Sequence, residues 1–232
     1  MVQVPSSGFT MGNHSLDTVD EMQHQVYLDS FFVGVYEVTN REYAAYLSDS
    51  GGELHWDYRM EILRSGSHFQ AISGREDFPV NYVSWGGASA YCSWTGGRLP
   101  TEAEWEKAAR GAGDVRIYPW GDQVSGGTQA NFANPDSGLW RVGVATGLSP
   151  YGCRDMSGNV WEWTADWFDA DYYTQSPDVN PTGPSIGEEK TIRGGSFMDD
   201  ELSVRCSRRE SVPPNARFIN LGFRCVRDSL ET

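Results

Sequence analysis

The sequence predicts an α+β protein of short helices and short strands joined by long loops, and three observations predict it. Nine tryptophans, 26 glycines and 11 prolines among 232 residues call for many turns, with bulky aromatics filling space that long regular elements would otherwise fill. Helix-start signals and β-branched runs are both present, and each is brief. No repeat with a period of roughly 20 to 50 residues and no Ser/Gly or Pro linker divides the chain, so residues 1–232 read as a single domain.

In chain order, Gln25-Val26-Tyr27-Leu28 has strand composition. Thr39-Asn40-Arg41-Glu42 is a capping box, in which the hydroxyl takes an orphan helix amide and the Glu returns a bond to the cap's own backbone. Val38 and Tyr43 are spaced as a staple, and Tyr43, Tyr46 and Leu47 share one face of the helix that follows. Ser84 caps a shorter helix with Ala88, Tyr91 and Cys92 inward. Thr101-Glu102-Ala103-Glu104 starts a third through Trp105, Ala108 and Ala109, with Arg110 near its C-terminal dipole and Gly111 as the stop. Further strands are expected at 159–167, at Thr191-Ile192-Arg193 and at Gly222-Phe223-Arg224-Cys225-Val226. Residues 112–140 and 169–190, rich in Gly, Pro, Asp, Asn and Ser, read as long surface loops. Long ordered loops are usually functional or held by something else, such as a metal.

Eighteen Lys and Arg against 32 Asp and Glu give a formal net charge of -14, which repels polyphosphate and anionic lipid. Nucleic acid is therefore not an expected partner, whereas cations are. No run of eighteen apolar residues occurs, so no membrane insertion is expected. Met1-Val2-Gln3-Val4-Pro5 lacks the basic and apolar regions of a signal peptide, and a trimmed leader would leave the same start.

The segment from Asp155 to Trp167 is the densest in chemistry. If residues 160–167 are extended, Val160, Glu162, Thr164 and Asp166 share one face and Trp161, Trp163 and Trp167 the other. Carboxylates at Asp155 and Glu162, with the carbonyls of Gly158 and Val160 between them, suit Ca²⁺, which takes several oxygens at relaxed angles. The plainer alternative leaves Glu162 and Asp166 in solvent and the tryptophans in the core. His14, His24, His55 and His68 include no pair at ligand spacing on a helix face, and Cys-x-x-Cys is absent, so a histidine-bound zinc or iron is not expected. Gly194-Gly195-Ser196 and Gly86-Gly87 lack the context of a phosphate cradle, and Gly-x-Ser-x-Gly is absent. Cys92, Cys153, Cys206 and Cys225 allow three complete pairings, and free thiols remain an alternative. Asp199-Asp200-Glu201, followed by Arg205, Arg208 and Arg209, reads as an ion-paired surface.

Eight segments run in order: Gly8-Phe9-Thr10-Met11-Gly12, Val35-Tyr36-Glu37-Val38-Thr39-Asn40, Pro79-Val80-Asn81-Tyr82-Val83-Ser84-Trp85, Gly97-Arg98-Leu99-Pro100-Thr101-Glu102-Ala103-Glu104-Trp105-Glu106, Tyr118-Pro119-Trp120-Gly121, Gly158-Asn159-Val160-Trp161-Glu162-Trp163, Arg193-Gly194-Gly195-Ser196 and Gly222-Phe223-Arg224. Together they resemble the sulfatase-modifying-factor, or formylglycine-generating-enzyme, domain family. That resemblance implies a loop-rich C-type-lectin-like fold, with short helices packed on small antiparallel sheets.

Family enzymes that convert a sulfatase cysteine to formylglycine need two cysteines after Gly-Gly-Ser, which bind copper and engage the substrate thiol. Here Asp199 stands where the first would be and the second is missing. Cys206 matches a downstream structural cysteine whose usual partner position is Ala109. Carboxylates do not replace a soft thiolate pair, so neither copper binding nor formylglycine generation is expected. Ser196 and Trp161 match pocket positions. The resemblance also implies structural calcium at Asp155, Glu162 and the Gly158 and Val160 carbonyls, and a second ion at Asn131, the Phe132 carbonyl and Asp136. Cys92 and Cys225 match a disulfide of exported relatives, which would contribute ~4 to 5 kcal/mol and point to an oxidising, extracytoplasmic compartment.

The expected function is that of a non-catalytic, calcium-braced module displaying residues 197–221 to a protein or small ligand. In length this segment resembles the variable region of retroelement-diversified C-type-lectin proteins. Met198, Asp199, Asp200, Ser203, Arg208, Glu210, Val212, Ala216, Phe218 and Asn220 would then be display positions, beside Trp161 and Ser196. The alternative is an oxidoreductase with non-cysteine chemistry, in which Asp199, Asp200, Glu201 and Arg209 serve as acid, base or orienting groups. A structural module of a bacterial envelope complex is a third reading.

Overall fold

The computed structural model describes residues 1–13, 22–113, 115–123 and 127–229; His14 of the histidine count and parts of the 112–140 loop lie outside them. All three helices start where their caps predict. Thr39 and Thr101 form complete capping boxes before α1 (Asn40–Ser50) and α3 (Glu102–Arg110), and the Ser84 hydroxyl accepts from Gly87 N before α2 (Trp85–Trp94). Gly51, left-handed at φ 63°, closes α1.

The strands are short. They are β1 (Val2–Val4), β2 (Ser7–Met11), β3 (His24–Leu28), β4 (Phe31–Val33), β5 (Ile62–Ser65), β6 (His68–Ala71), β7 (Trp161–Trp167), β8 (Lys190–Arg193), β9 (Arg209–Val212), β10 (Leu221–Gly222) and β11 (Val226–Asp228). One sheet runs β1-β4-β11 and a second β10-β7-β8-β9, while β2 with β3 and β5 with β6 form two-stranded ladders. Pairing is antiparallel except between β10 and β7, which run parallel. Among the described residues no helix is long and apolar enough to cross a membrane.

Two expectations need correction. The predicted strand over 222–226 is broken: Leu221–Gly222 joins β7, and Val226–Asp228 crosses to β4. Between them Arg224 turns inward onto Glu162 and Cys225 is bonded to Cys92, so neither residue extends a ladder. The plainer alternative, with one solvated face on β7, also fails: Glu162 and Thr164 are 0% exposed and Asp166 3%. The tryptophan face packs with α1 and α2 in one core, and α3 covers the oxygen face. Trp105 Nε1 donates to Glu162 Oε2 at 2.8 Å, and Glu102 N donates to Asp166 Oδ2 at 2.9 Å.

Every residue of α3 is buried, its charged ones included. Glu102 and Glu106 find partners on β8 and β9, Glu104 pairs with Arg98, and Lys107 donates to the carbonyls of Pro5 and Ser7. Arg209 reaches Glu102 at 2.6 and 2.9 Å, Arg193 bridges Glu102 and Glu106, and Arg110 pairs with Glu106 at 3.1 Å. The surface expected at Arg205, Arg208 and Arg209 is thus largely internal, with Arg209 1% and Arg205 7% exposed. Burial alone would raise Glu102, but Arg209 and Arg193 hold it below the usual carboxylate value. Asp166 lacks that compensation; burial, and then the charge of Glu102, push it up to about 8.

Candidate functional site

The turn after β8 builds the site. Gly194 and Gly195 have φ of 96° and 69°, and a Cβ on Gly195 would stand 2.8 Å from Ser203 O and 2.7 Å from Val204 Cγ1, so the chain can double back here only as glycine. This delivers Ser196, fully buried, beneath Asp199. The Ser196 hydroxyl donates to Asp199 Oδ2, Trp161 Nε1 donates to the same oxygen at 2.9 Å, and Asn220 Nδ2 donates to Ser196 Oγ at 3.0 Å. Four predicted residues therefore form one hydrogen-bonded unit.

Above it lies a shallow cavity of about 260 Å³, walled by Trp161, Asp199, Ser203, Glu210, Phe218 and Asn220. Sequence reasoning missed Ile192, Ser211 and Leu221 in the same wall; they arrive by register from β8, β9 and β10, which no local pattern announces. Other predicted residues lie outside the wall. Met198 is exposed, Arg208 pairs with Glu210, and Asp200 Oδ1 accepts from Leu202 N, Ser203 N and Ser203 Oγ as a turn cap. Those bonds hold the Asp200 carboxyl below its usual value. No cysteine lines the cavity. Cys153 and Cys206 are free and buried, and burial pushes the Cys206 thiol up to about 12.

The two predicted calcium loops meet. Asn131 and Gly158 form a parallel bridge, Asn159 N donates to Asn131 O at 2.8 Å, and a Cβ on Gly158 would stand 2.2 Å from that oxygen. Asp155, Gly158 and Asn159 all have positive φ, so the loop is tightly coiled before β7 begins. Asn131 Oδ1 is buried with no hydrogen-bond partner, which fits an oxygen ligand for a hard cation. Phe132 follows it half-buried, and Asp136 is exposed.

Glu162 fits a metal poorly, because its oxygens are already engaged. Arg224 donates to Oε1 at 2.6 Å and Oε2 at 2.7 Å, and Trp105 donates to Oε2. Glu37, absent from the predicted set although it lies in a motif of the resemblance, completes the cluster. It accepts from Asn159 Nδ2 at 2.7 Å. Burial, then the charges of Asp155 and Glu162, raise Glu37 well above its usual value; burial above all pushes Asp155 up to about 6, with the charge of Glu162 adding to it. Among the described residues no group of three or more His, Cys, Asp or Glu side chains is arranged to hold a metal, so a cation here would rest mainly on amide and carbonyl oxygens. Cys92 and Cys225 are joined, with Cα atoms 5.6 Å apart.

A family model described as a sulfatase-modifying factor enzyme 1-like domain matches residues 1–229. The formylglycine-generating enzyme of Bos taurus is 31% identical over 283 residues, covering 100% of this chain and 75% of its own length. A serine/threonine-protein kinase, pkn1 of Chlamydia caviae, is 36% identical over 236 residues that cover 98% of this chain, which spans only 38% of that relative. Among solved structures, Treponema denticola variable protein 1 superposes with a TM-score of 0.80 at 22% identity, covering 99% of this chain and 95% of its own, and shares the fold. The loop-rich α+β architecture is that of these C-type-lectin-like structures, and the chain belongs to the sulfatase-modifying-factor, or formylglycine-generating-enzyme, family.

Proposed function

We propose that this chain is a non-catalytic, ligand-binding member of its family, using the cavity above Trp161 and Ser196. One observation carries the reading: Asp199, which the resemblance sets where the first active cysteine would be, is clamped by Ser196 and Trp161 in a wall that contains no thiol. The alternative oxidoreductase has lost its partners, since Arg209 is buried against Glu102 and Asp200 is spent on its turn. The likeness to a variable protein supports display through residues 197–221. Its test is an assay with Cu(I) and a peptide carrying one cysteine. The expected result is neither stoichiometric copper binding nor aldehyde formation, and a preparation that oxidises the peptide with copper would sink the reading.

Calcium belongs to the same proposal as a brace, at Asn131 Oδ1 with the Phe132 carbonyl and Asp136, and at Asp155 with the Gly158 and Val160 carbonyls. At Glu162 the guanidinium of Arg224 supplies the positive charge. Bound calcium stabilises only the folded state, so 1 mM Ca²⁺ is expected to raise the melting temperature over a chelator-treated sample. The shift should shrink in Asn131→Ala; identical melts with calcium and chelator would remove the metal from the proposal. The Cys92–Cys225 bond supports an oxidising compartment.

A further inference from the structure

We infer that the cavity takes an organic cation, an alkylammonium or guanidinium group, with Asp199 as its counter-ion. The inference rests on the binding role proposed above and specifies its ligand. Asp199 is a carboxylate without a cation. Its Oδ2 accepts from two neutral donors, the Trp161 indole and the Ser196 hydroxyl, and it forms no ion pair among the described residues. Both donors fix the carboxylate in the cavity wall before any ligand arrives, which removes most of the ordering cost of binding.

The rest of the wall suits the same charge. Glu210 adds a second acid, compensated by Arg208, which stands outside the wall. Trp161 and Phe218 offer aromatic surface to an ammonium or guanidinium. Ser203 and Asn220 are neutral hydrogen-bonding groups. The chain's net charge of -14 draws cations towards every face. At about 260 Å³ the space suits one small cationic head rather than a cofactor. A larger cleft of about 620 Å³, between β3, α3 and β11, contrasts with it. There Arg98 pairs internally with both Glu104 and Asp228, and the remaining acid, Asp29, accepts from Asn180 Nδ2 at 2.8 Å with neither an indole nor a phenylalanine ring of the wall holding it.

The Trp161 indole N–H bound to Asp199 is a built-in reporter. Nitrogen-15 spectra of the full chain would be titrated with four probes: n-butylammonium, agmatine, neutral N-butylacetamide and butyrate. A fifth, Nα-acetyl-arginine amide, separates a free cation from a peptide side chain as the source. Expected are saturable shifts of the Trp161 indole signal with the cations, weakening with salt and absent with the neutral and anionic probes. Asp199→Asn keeps an oxygen for both donors and should weaken cation binding at least about ten-fold, the scale of a lost hydrogen bond to a charged group. Glu210→Gln should weaken it less. Equal binding of N-butylacetamide, or undiminished affinity in Asp199→Asn, would overturn the cation while leaving a binding pocket in place. Silence of Trp161 towards every probe would overturn both the cation and the binding role.

Discussion

Arg224→Ala is expected to cost about 3–5 kcal/mol of unfolding free energy, the range for removing one partner of a buried ion pair. Arg224 and Glu162 are both 0% exposed, and the guanidinium also donates to the carbonyls of Gly34, Val35 and Arg154. Removing it strands Glu162 without its cation beside Glu37 and Asp155 and takes a donor from the Gly34 and Arg154 carbonyls, whereas Val35 O keeps Arg154 N. Two further results identify the cause. Arg224→Met combined with Glu162→Gln should recover a large part of the loss, because no bare charge then stays buried. The loss in Arg224→Ala should also be smaller at pH 5 than at pH 8. Burial raises Glu37 and Asp155 and Arg224 lowers them, so its loss raises both further; the penalty of such an acid is absent below its unfolded pKa and grows as pH rises from there to the raised folded value. Urea titrations at both pH values measure this. A loss below about 1 kcal/mol at pH 8 would mean that the guanidinium is not what holds the Asp155–Glu162 loop.

The second large effect is expected from the disulfide. Cys92 and Cys225 are 133 residues apart, so the bond closes a loop spanning more than half the chain. Restricting the unfolded ensemble to that extent is worth ~4 to 5 kcal/mol in the chain-entropy model. Cys92→Ala/Cys225→Ala should lose about that much in urea denaturation while keeping the Trp161 indole resonance in place. A loss under about 1 kcal/mol would show that the bond adds little to a fold its neighbours already determine.

What the sequence made legible follows the range of each interaction. Thr39, Ser84 and Thr101 could be read because a cap bonds to backbone two or three residues away, a distance the sequence displays directly. The burial of α3 could not. Glu102, Glu106 and Lys107 look like a solvated face until Arg193 and Arg209 meet the two acids, and the Pro5 and Ser7 carbonyls the lysine, each from about a hundred residues away. The same distance hid the double cover of β7. Trp161, Ser196 and Asp199 were reachable through resemblance to a family motif, but the hydrogen bonds that join them were not. Ile192, Ser211 and Leu221 enter the cavity wall only because three strands lie side by side in a particular register. Glu37 was visible in a motif, yet its role depends on Asn159, which a left-handed backbone turns towards it.

The break between β10 and β11 makes one short stretch a fastening shared by distant parts of the fold. The stretch from Leu221 to Asp228 lays one end along β7 and the other along β4, and between those ends it carries the guanidinium for Glu162 and the sulfur for Cys92. Two separate sheets, a buried charge and a cross-link all depend on this one short stretch. A change that displaces it loosens all four together, as an opened clasp frees both ends of a strap.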